Sequence, residues 1–168
     1  MNNKRYTVLD VKGNGHCLFR SIGQVLYYNL HGDILNDVDE MRFAINLRRF
    51  AISYVCSKNG NTRLQVDSNI TFKKSLSEEL KTTHSKVFKK YCKCQYTITS
   101  KDCKPQRLFT WGGFHEINAL CVLLNTPIIV HKENKEKIVF CKSFKSKPLE
   151  ILYVNNSHYK ALLPMNVK

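Results

Sequence analysis

Short apolar runs separated by polar turns fill residues 128–163, whereas the chain before them carries helical periods. That order restricts the fold more than any other feature. Ile128-Ile129-Val130, Ile138-Val139-Phe140, Leu149 to Val154 and Tyr159 to Leu163 read as strands, since β-branched and aromatic residues in short runs suit a pleated, half-buried surface. Tyr6 to Val11 is a further short strand at the start. From Cys17, apolar residues at Leu18, Phe19, Ile22, Val25 and Leu26 recur at helical spacing, and this helix ends near Asn29 to Gly32. The longest periodic segment is Val38 to Cys56, with Asn36, Asp37 and Asp39 among the cap candidates before it. Met41, Ala44, Ile45, Ala51, Ile52 and Val55 form one apolar face, interrupted by Arg48. Phe43, Leu47, Phe50 and Tyr54 form a second stripe, so a well-buried helix is expected, with Arg42, Asn46 and Arg49 facing water. Gly60 stands just past its end.

Leu76 to Tyr91 holds one or two helices, with Ser75 or Ser77 as cap, Glu78-Glu79 in the first turn, and Val87, Phe88 and Tyr91 facing inward. Cys92 to Arg107 has no period and reads as a loop. Phe114 to Asn125 is a helix with Ile117, Leu120, Cys121 and Leu124 on its inner face; Thr126-Pro127 ends it. Helices first and strands late predict an α+β fold, a small, mostly antiparallel sheet flanked by helices. No linker or repeat divides the 168 residues, so one domain over 1–168 is expected.

The apolar content of 43% is that of a globular chain, and no run of about eighteen apolar residues predicts a membrane span. Met1 to Tyr6 is polar and lacks the apolar core of a signal peptide. The net charge of +14 attracts nucleic acid, anionic surfaces or acidic partners. It is spread along the chain and mostly lysine, which favours a solvated basic surface over a nucleic-acid footprint. Seven cysteines, with no secretion signal and no framework spacing, read as free thiols in a reducing compartment. Cys92, Cys94 and Cys103 with His84 lack paired zinc-ligand spacing, so no metal is expected.

Gly13-Asn14-Gly15-His16-Cys17 is a glycine turn running into a helix. A cysteine in a first helical turn meets unpaired N–H groups and the positive dipole end, which stabilise a thiolate. The same N–H groups can face a developing oxyanion. His158, at the mouth of a turn between two strands, is the candidate base. Taken alone, Cys17 reads more readily as a buried structural cysteine, and His158 reads equally well as a strand-end histidine bonded to a neighbour.

Three segments alter that balance: Gly13 to Ile22, Trp111-Gly112-Gly113-Phe114-His115-Glu116-Ile117-Asn118-Ala119-Leu120, and Ser157-His158-Tyr159-Lys160-Ala161-Leu162. In this order they resemble the OTU (ovarian tumour) cysteine proteases. The resemblance implies a papain-like OTU fold, Cys17 as nucleophile and His158 as general base. It implies an oxyanion turn at Gly15 and His16 and a substrate channel lined by Trp111 and Tyr159. It implies no cofactor and no metal. The implied activity is cleavage of (iso)peptide bonds after the C-terminal glycine of ubiquitin, polyubiquitin or a ubiquitin-like modifier. A cytoplasmic monomer is expected, in the host cytoplasm if the source is a virus or intracellular pathogen.

The chain departs from the family pattern. Asn14 stands where the motif usually has an acid, and His16 where it has an amide. Two residues past the histidine, Lys160 replaces an acceptor, and a lysine cannot accept a bond from imidazole. The group orienting His158 is then Asn14 by motif position, with Asp10, Asn155 and Asn156 as alternatives. These departures leave two competing functions open: a catalytically impaired OTU-like ubiquitin-binding module, and a basic nucleic-acid-binding protein.

Overall fold

The computed structural model describes residues 5–64, 69–81, 85–97, 102–103 and 109–165. The strands are β1 (Tyr6–Leu9), β2 (Ile128–Lys132), β3 (Lys137–Phe140), β4 (Leu149–Val154) and β5 (His158–Pro164). They form one sheet in the order β1-β5-β4-β2-β3. Only the β2–β4 pair is parallel; β1–β5, β4–β5 and β2–β3 are antiparallel. The mixed architecture matches the expected α+β fold.

The helices are α1 (Cys17–His31), α2 (Asp37–Cys56), α3 (Phe72–Glu79), α4 (Ser85–Thr97) and α5 (Phe114–Leu123). α1 lies across β4 and β5, and α2 packs on both α1 and α5. Phe19 and Ile22 of α1 are fully buried in this core, each contributing about 2 kcal/mol by leaving water. Arg20 of α1 donates to Glu40 of α2, and Gln24 Nε2 reaches the same carboxylate at 2.5 Å, so the two helices are tied by buried polar groups. Asn36 caps α2 by accepting from the Val38 and Asp39 N–H groups.

Three expectations change. The second stripe of α2 is only partly inward: Leu47 is buried but Phe50 is 64% exposed. Glu78 and Glu79 end α3 rather than open it, because Thr71 is the cap. Cys92 to Thr97 is not loop but the second half of α4, whose lysine-rich outer side masks its period; 98–101 and 104–108 lie outside the described residues.

The free-thiol reading is also overturned. Cys56–Cys92 joins the end of α2 to α4, Cys94–Cys103 joins α4 to the following segment, and Cys121–Cys141 joins α5 to the end of β3. The remaining cysteine, Cys17, is free. With three of its cysteines in disulfides, the zinc alternative has no ligand set; its His84 lies outside the described residues. Closing the 36-residue separation of Cys56 and Cys92 stabilises by about 4 kcal/mol in the chain-entropy picture. Alkylation of the denatured protein therefore adds one label before reduction and seven after it, while dithiothreitol, which opens all three disulfides, lowers Tm by roughly 20 °C or more. More than one label before reduction contradicts the pairing.

Among the described residues, no helix is long and apolar enough to cross a membrane, and no group of three or more His, Cys, Asp or Glu side chains is placed to hold a metal ion.

Candidate active site

Cys17 is the first residue of α1, reached through the turn of residues 13–16. Gly15 has φ +82°, a conformation open to glycine and resisted by side-chain-bearing residues. The backbone N–H groups of Tyr159, Leu18 and Cys17 itself lie near enough to the sulfur to favour its thiolate. The proximity to Tyr159 sets Cys17 beside the start of β5, where His158 is the preceding residue. The thiol pKa nevertheless lies above its ordinary value: burial raises it more than the three N–H groups and the Arg48 charge lower it. The sequence argument from the helix terminus has the correct sign for its own contribution, but desolvation outweighs it. Cys17 therefore rests as a thiol and needs a base.

His158 stands where the turn through Asn155 and Asn156, both at positive φ, feeds β5. Its Nε2 lies 2.9 Å from Asp10 Oδ1. Its Nδ1 faces the turn, 3.5 Å from where a Cβ on Gly13 would sit. A proton on Nε2, donated to Asp10, leaves Nδ1 as the basic nitrogen. The orienting place expected for Asn14 is thus taken by Asp10, and Asn14 is exposed in the turn. Register explains the exchange. Leu9 pairs with Ala161, so Asp10, one residue on, arrives opposite Lys160. Lys160 and His158, two residues apart, share a face of β5. Lys160 Nζ reaches Asp10 Oδ2 at 3.2 Å. The lysine at the family's acceptor position therefore holds an acid supplied by the end of β1. His158 and Lys160 together keep the Asp10 carboxyl below its ordinary pKa, so it is ionised at neutral pH.

The Trp111-Gly112-Gly113 turn forms the facing wall. A Cβ on Gly112 would lie 2.7 Å from Leu18 and 2.8 Å from Phe19, two core side chains with no room to move. Only glycine lets this turn sit against the first turn of α1. Glu116 is buried, accepts from the Gly113 N–H at 2.7 Å and receives the Tyr91 hydroxyl. Burial lifts its pKa to about 7, and its bonds to Gly113 and Tyr91 hold the turn. Between the walls opens a cleft of about 330 Å³, lined by Cys17, Trp111, Phe114, Ile138, Tyr153 and Tyr159 among others. Trp111 and Tyr159 thus both line the cleft that contains the thiol.

Two buried histidines shape the pH response. His16 and His115 both have pKa lowered to about 4, chiefly by burial, with Arg48 and Arg20 adding to the effect at His16. His16 is therefore neutral and non-basic at pH 7. Between pH 6.5 and 4.5 the unfolded chain protonates both histidines while the folded chain does not. Glu116 acts oppositely, staying protonated when folded. The balance is about one extra proton on the unfolded chain, so stability falls by about 1.4 kcal/mol for each pH unit of acidification in that window. Urea unfolding at pH 6.5 and 5.0 measures this, and His115→Gln should flatten the slope. An unchanged slope in that variant contradicts the assignment.

Comparison with known proteins agrees with this geometry. The OTU-like cysteine protease family profile matches residues 12–160.

The chain belongs to the OTU-like cysteine protease family.

A curated relative, OTU domain-containing protein 6A of Mus musculus, is 33% identical over 63 residues, which is 34% of this chain and 22% of that protein. The match thus spans about a fifth of that relative's length. Among solved structures, the viral OTU domain protease of Dera Ghazi Khan virus shares the fold at TM-score 0.57 and 17% identity, covering 96% of this chain and 82% of that one. The Hazara virus OTU bound to ubiquitin shares it at TM-score 0.56 and 16% identity, covering 96% and 83%.

Sequence reasoning about this OTU domain passed over Arg48, Gln95 and Tyr91, which brace the site from behind. One signal was available: Arg48 is a charge set in the middle of an apolar helical face.

Proposed function

We propose that this OTU domain is a thiol-dependent deubiquitinase, hydrolysing the bond after the C-terminal glycine of ubiquitin or a ubiquitin-like modifier. The observation that carries the reading is the site itself. A free thiol at a helix N-terminus lies in an apolar cleft, and the adjoining strand begins with a histidine whose Nε2 is held by Asp10. Family membership and a ubiquitin-bound structural neighbour support ubiquitin as substrate.

His158 Nδ1 takes the Cys17 proton as the sulfur attacks the glycine carbonyl carbon. Negative charge on the carbonyl oxygen is met by the N–H groups of the turn and of Cys17. The C–N bond then breaks, and His158 returns the proton to the departing amine. Water, deprotonated by His158, attacks the thioester and releases the free carboxylate and the thiol. Asp10 keeps Nε2 protonated throughout and offsets the imidazolium charge. Trp111 and Tyr159 wall the channel for the extended glycine tail.

Ubiquitin conjugates are met where glutathione keeps thiols reduced. Action in the cytoplasm accordingly requires the domain to hold its site with the three disulfides open, and none of them includes Cys17. The test is release of a fluorophore from the ubiquitin C-terminus, followed by a panel of isopeptide-linked diubiquitins, with and without reductant. Cys17-dependent release supports the reading. An intact fold that releases nothing from any of these substrates overturns it.

A further inference from the structure

Arg48 breaks the apolar face of α2, yet it is 3% exposed. A buried guanidinium is costly unless every N–H finds a partner, and the partners here are informative. Nε donates to Gln95 O at 2.9 Å, and Nη2 to Gln95 Oε1 at 2.6 Å and to Thr110 O. Nη1 donates to Gly15 O at 3.0 Å. The group also lies 5.2 Å from the centre of the Phe19 ring. Gln95, itself fully buried, donates from Nε2 to Trp111 O at 3.2 Å. One side chain on α2, with its α4 partner, thus grips the carbonyls of both turns that border the cleft: residues 13–16 on one side and residues 110–113 on the other.

We infer that Arg48 is a positioning residue for the reaction, fixing the oxyanion-binding face of the Cys17 turn and its spacing from the Trp111 wall. The inference rests on the functional reading above. The physical reason lies in the peptide between Gly15 and His16. Its carbonyl is drawn inward onto Arg48, and in a planar trans peptide the N–H points the opposite way. The His16 N–H is thereby turned away from Arg48, an orientation that frees it for substrate. Gly15 at positive φ is free to rotate, so without the Arg48 bond this peptide has no side-chain constraint to hold it. A lysine in the same place keeps the charge, but its single ammonium cannot reproduce the planar fork. The charged or titratable groups whose fields bear on the guanidinium are Cys17 on α1, the His16 preceding it and Glu116 on α5.

Arg48→Lys and Arg48→Met test this with two readouts. The first is kcat and KM on the fluorogenic ubiquitin substrate. The second is the pH midpoint of Cys17 alkylation by iodoacetamide, which needs no ubiquitin. For Arg48→Lys the expected result is a kcat at least tenfold lower with KM within about threefold, the pattern of a lost transition-state donor, and an alkylation midpoint close to wild type. For Arg48→Met the midpoint moves to higher pH as well. A folded Arg48→Lys that keeps kcat within about twofold, whatever its Tm, overturns the inference and leaves Arg48 a packing residue. Should neither variant fold, nitrogen-15 spectra of the wild-type protein decide. Separate, exchange-protected Arg48 Nη signals are expected, and a freely rotating guanidinium overturns the inference. A wild-type protein that cleaves no ubiquitin substrate instead indicts the functional reading, and the alkylation midpoints still report on Arg48.

Discussion

His158→Ala lowers kcat on a ubiquitin substrate by roughly 10⁴-fold or more, with the fold and the free Cys17 thiol retained. The size follows from two demands on one imidazole. Burial holds the Cys17 thiol above its ordinary pKa, so little thiolate exists at neutral pH without a base. The departing lysine amine also needs a proton, and His158, the residue before Tyr159 at the start of β5, is the base proposed to return it. Cys17→Ala removes the nucleophile and abolishes turnover. Stopped-flow or endpoint fluorescence with each variant, alongside circular dichroism, measures both effects. A His158→Ala protein within about tenfold of wild type contradicts the assignment of the base.

The second large effect separates Asp10 from Asn14. Asp10→Ala lowers kcat by about 10²-fold, because the Nε2 proton loses its acceptor and the imidazole is free to take the wrong tautomer or orientation. Asn14→Ala changes kcat by no more than about threefold. The Asp10 side chain is 64% exposed, so water partly replaces it; the loss is accordingly smaller than for a buried triad acid. Lys160→Ala gives an intermediate loss, since Lys160 restrains the carboxylate without touching the ring. Equal losses in Asp10→Ala and Asn14→Ala contradict the strand-register account of the site.

What the sequence revealed followed the range of the interactions that decide each element. The strands of the last third are set by local β-branched runs and polar turns, and they were readable to within a residue or two. The α1 start was readable because Gly15 and Cys17 impose it locally. The end of α4 was hidden because its buried residues there, Cys94 and the polar Gln95, do not form an apolar stripe. Phe50 was misplaced because periodicity marks apolar faces but does not say which has a neighbour to bury it. Disulfide connectivity and the Asp10–His158 bond are contacts between distant parts of the chain. No spacing encodes them: Asp10 reaches His158 only through the pairing of Leu9 with Ala161. Arg48 reflects the same limit, for its role depends on carbonyls 33 and 62 residues away.

The most direct test of the central claim is the mass of the protein after incubation with ubiquitin bearing a thiol-reactive C-terminal warhead. The account predicts a single adduct, heavier by one ubiquitin, with the crosslink on Cys17 and absent from Cys17→Ala. A folded protein whose Cys17 reacts with iodoacetamide yet forms no adduct with the ubiquitin probe would contradict it.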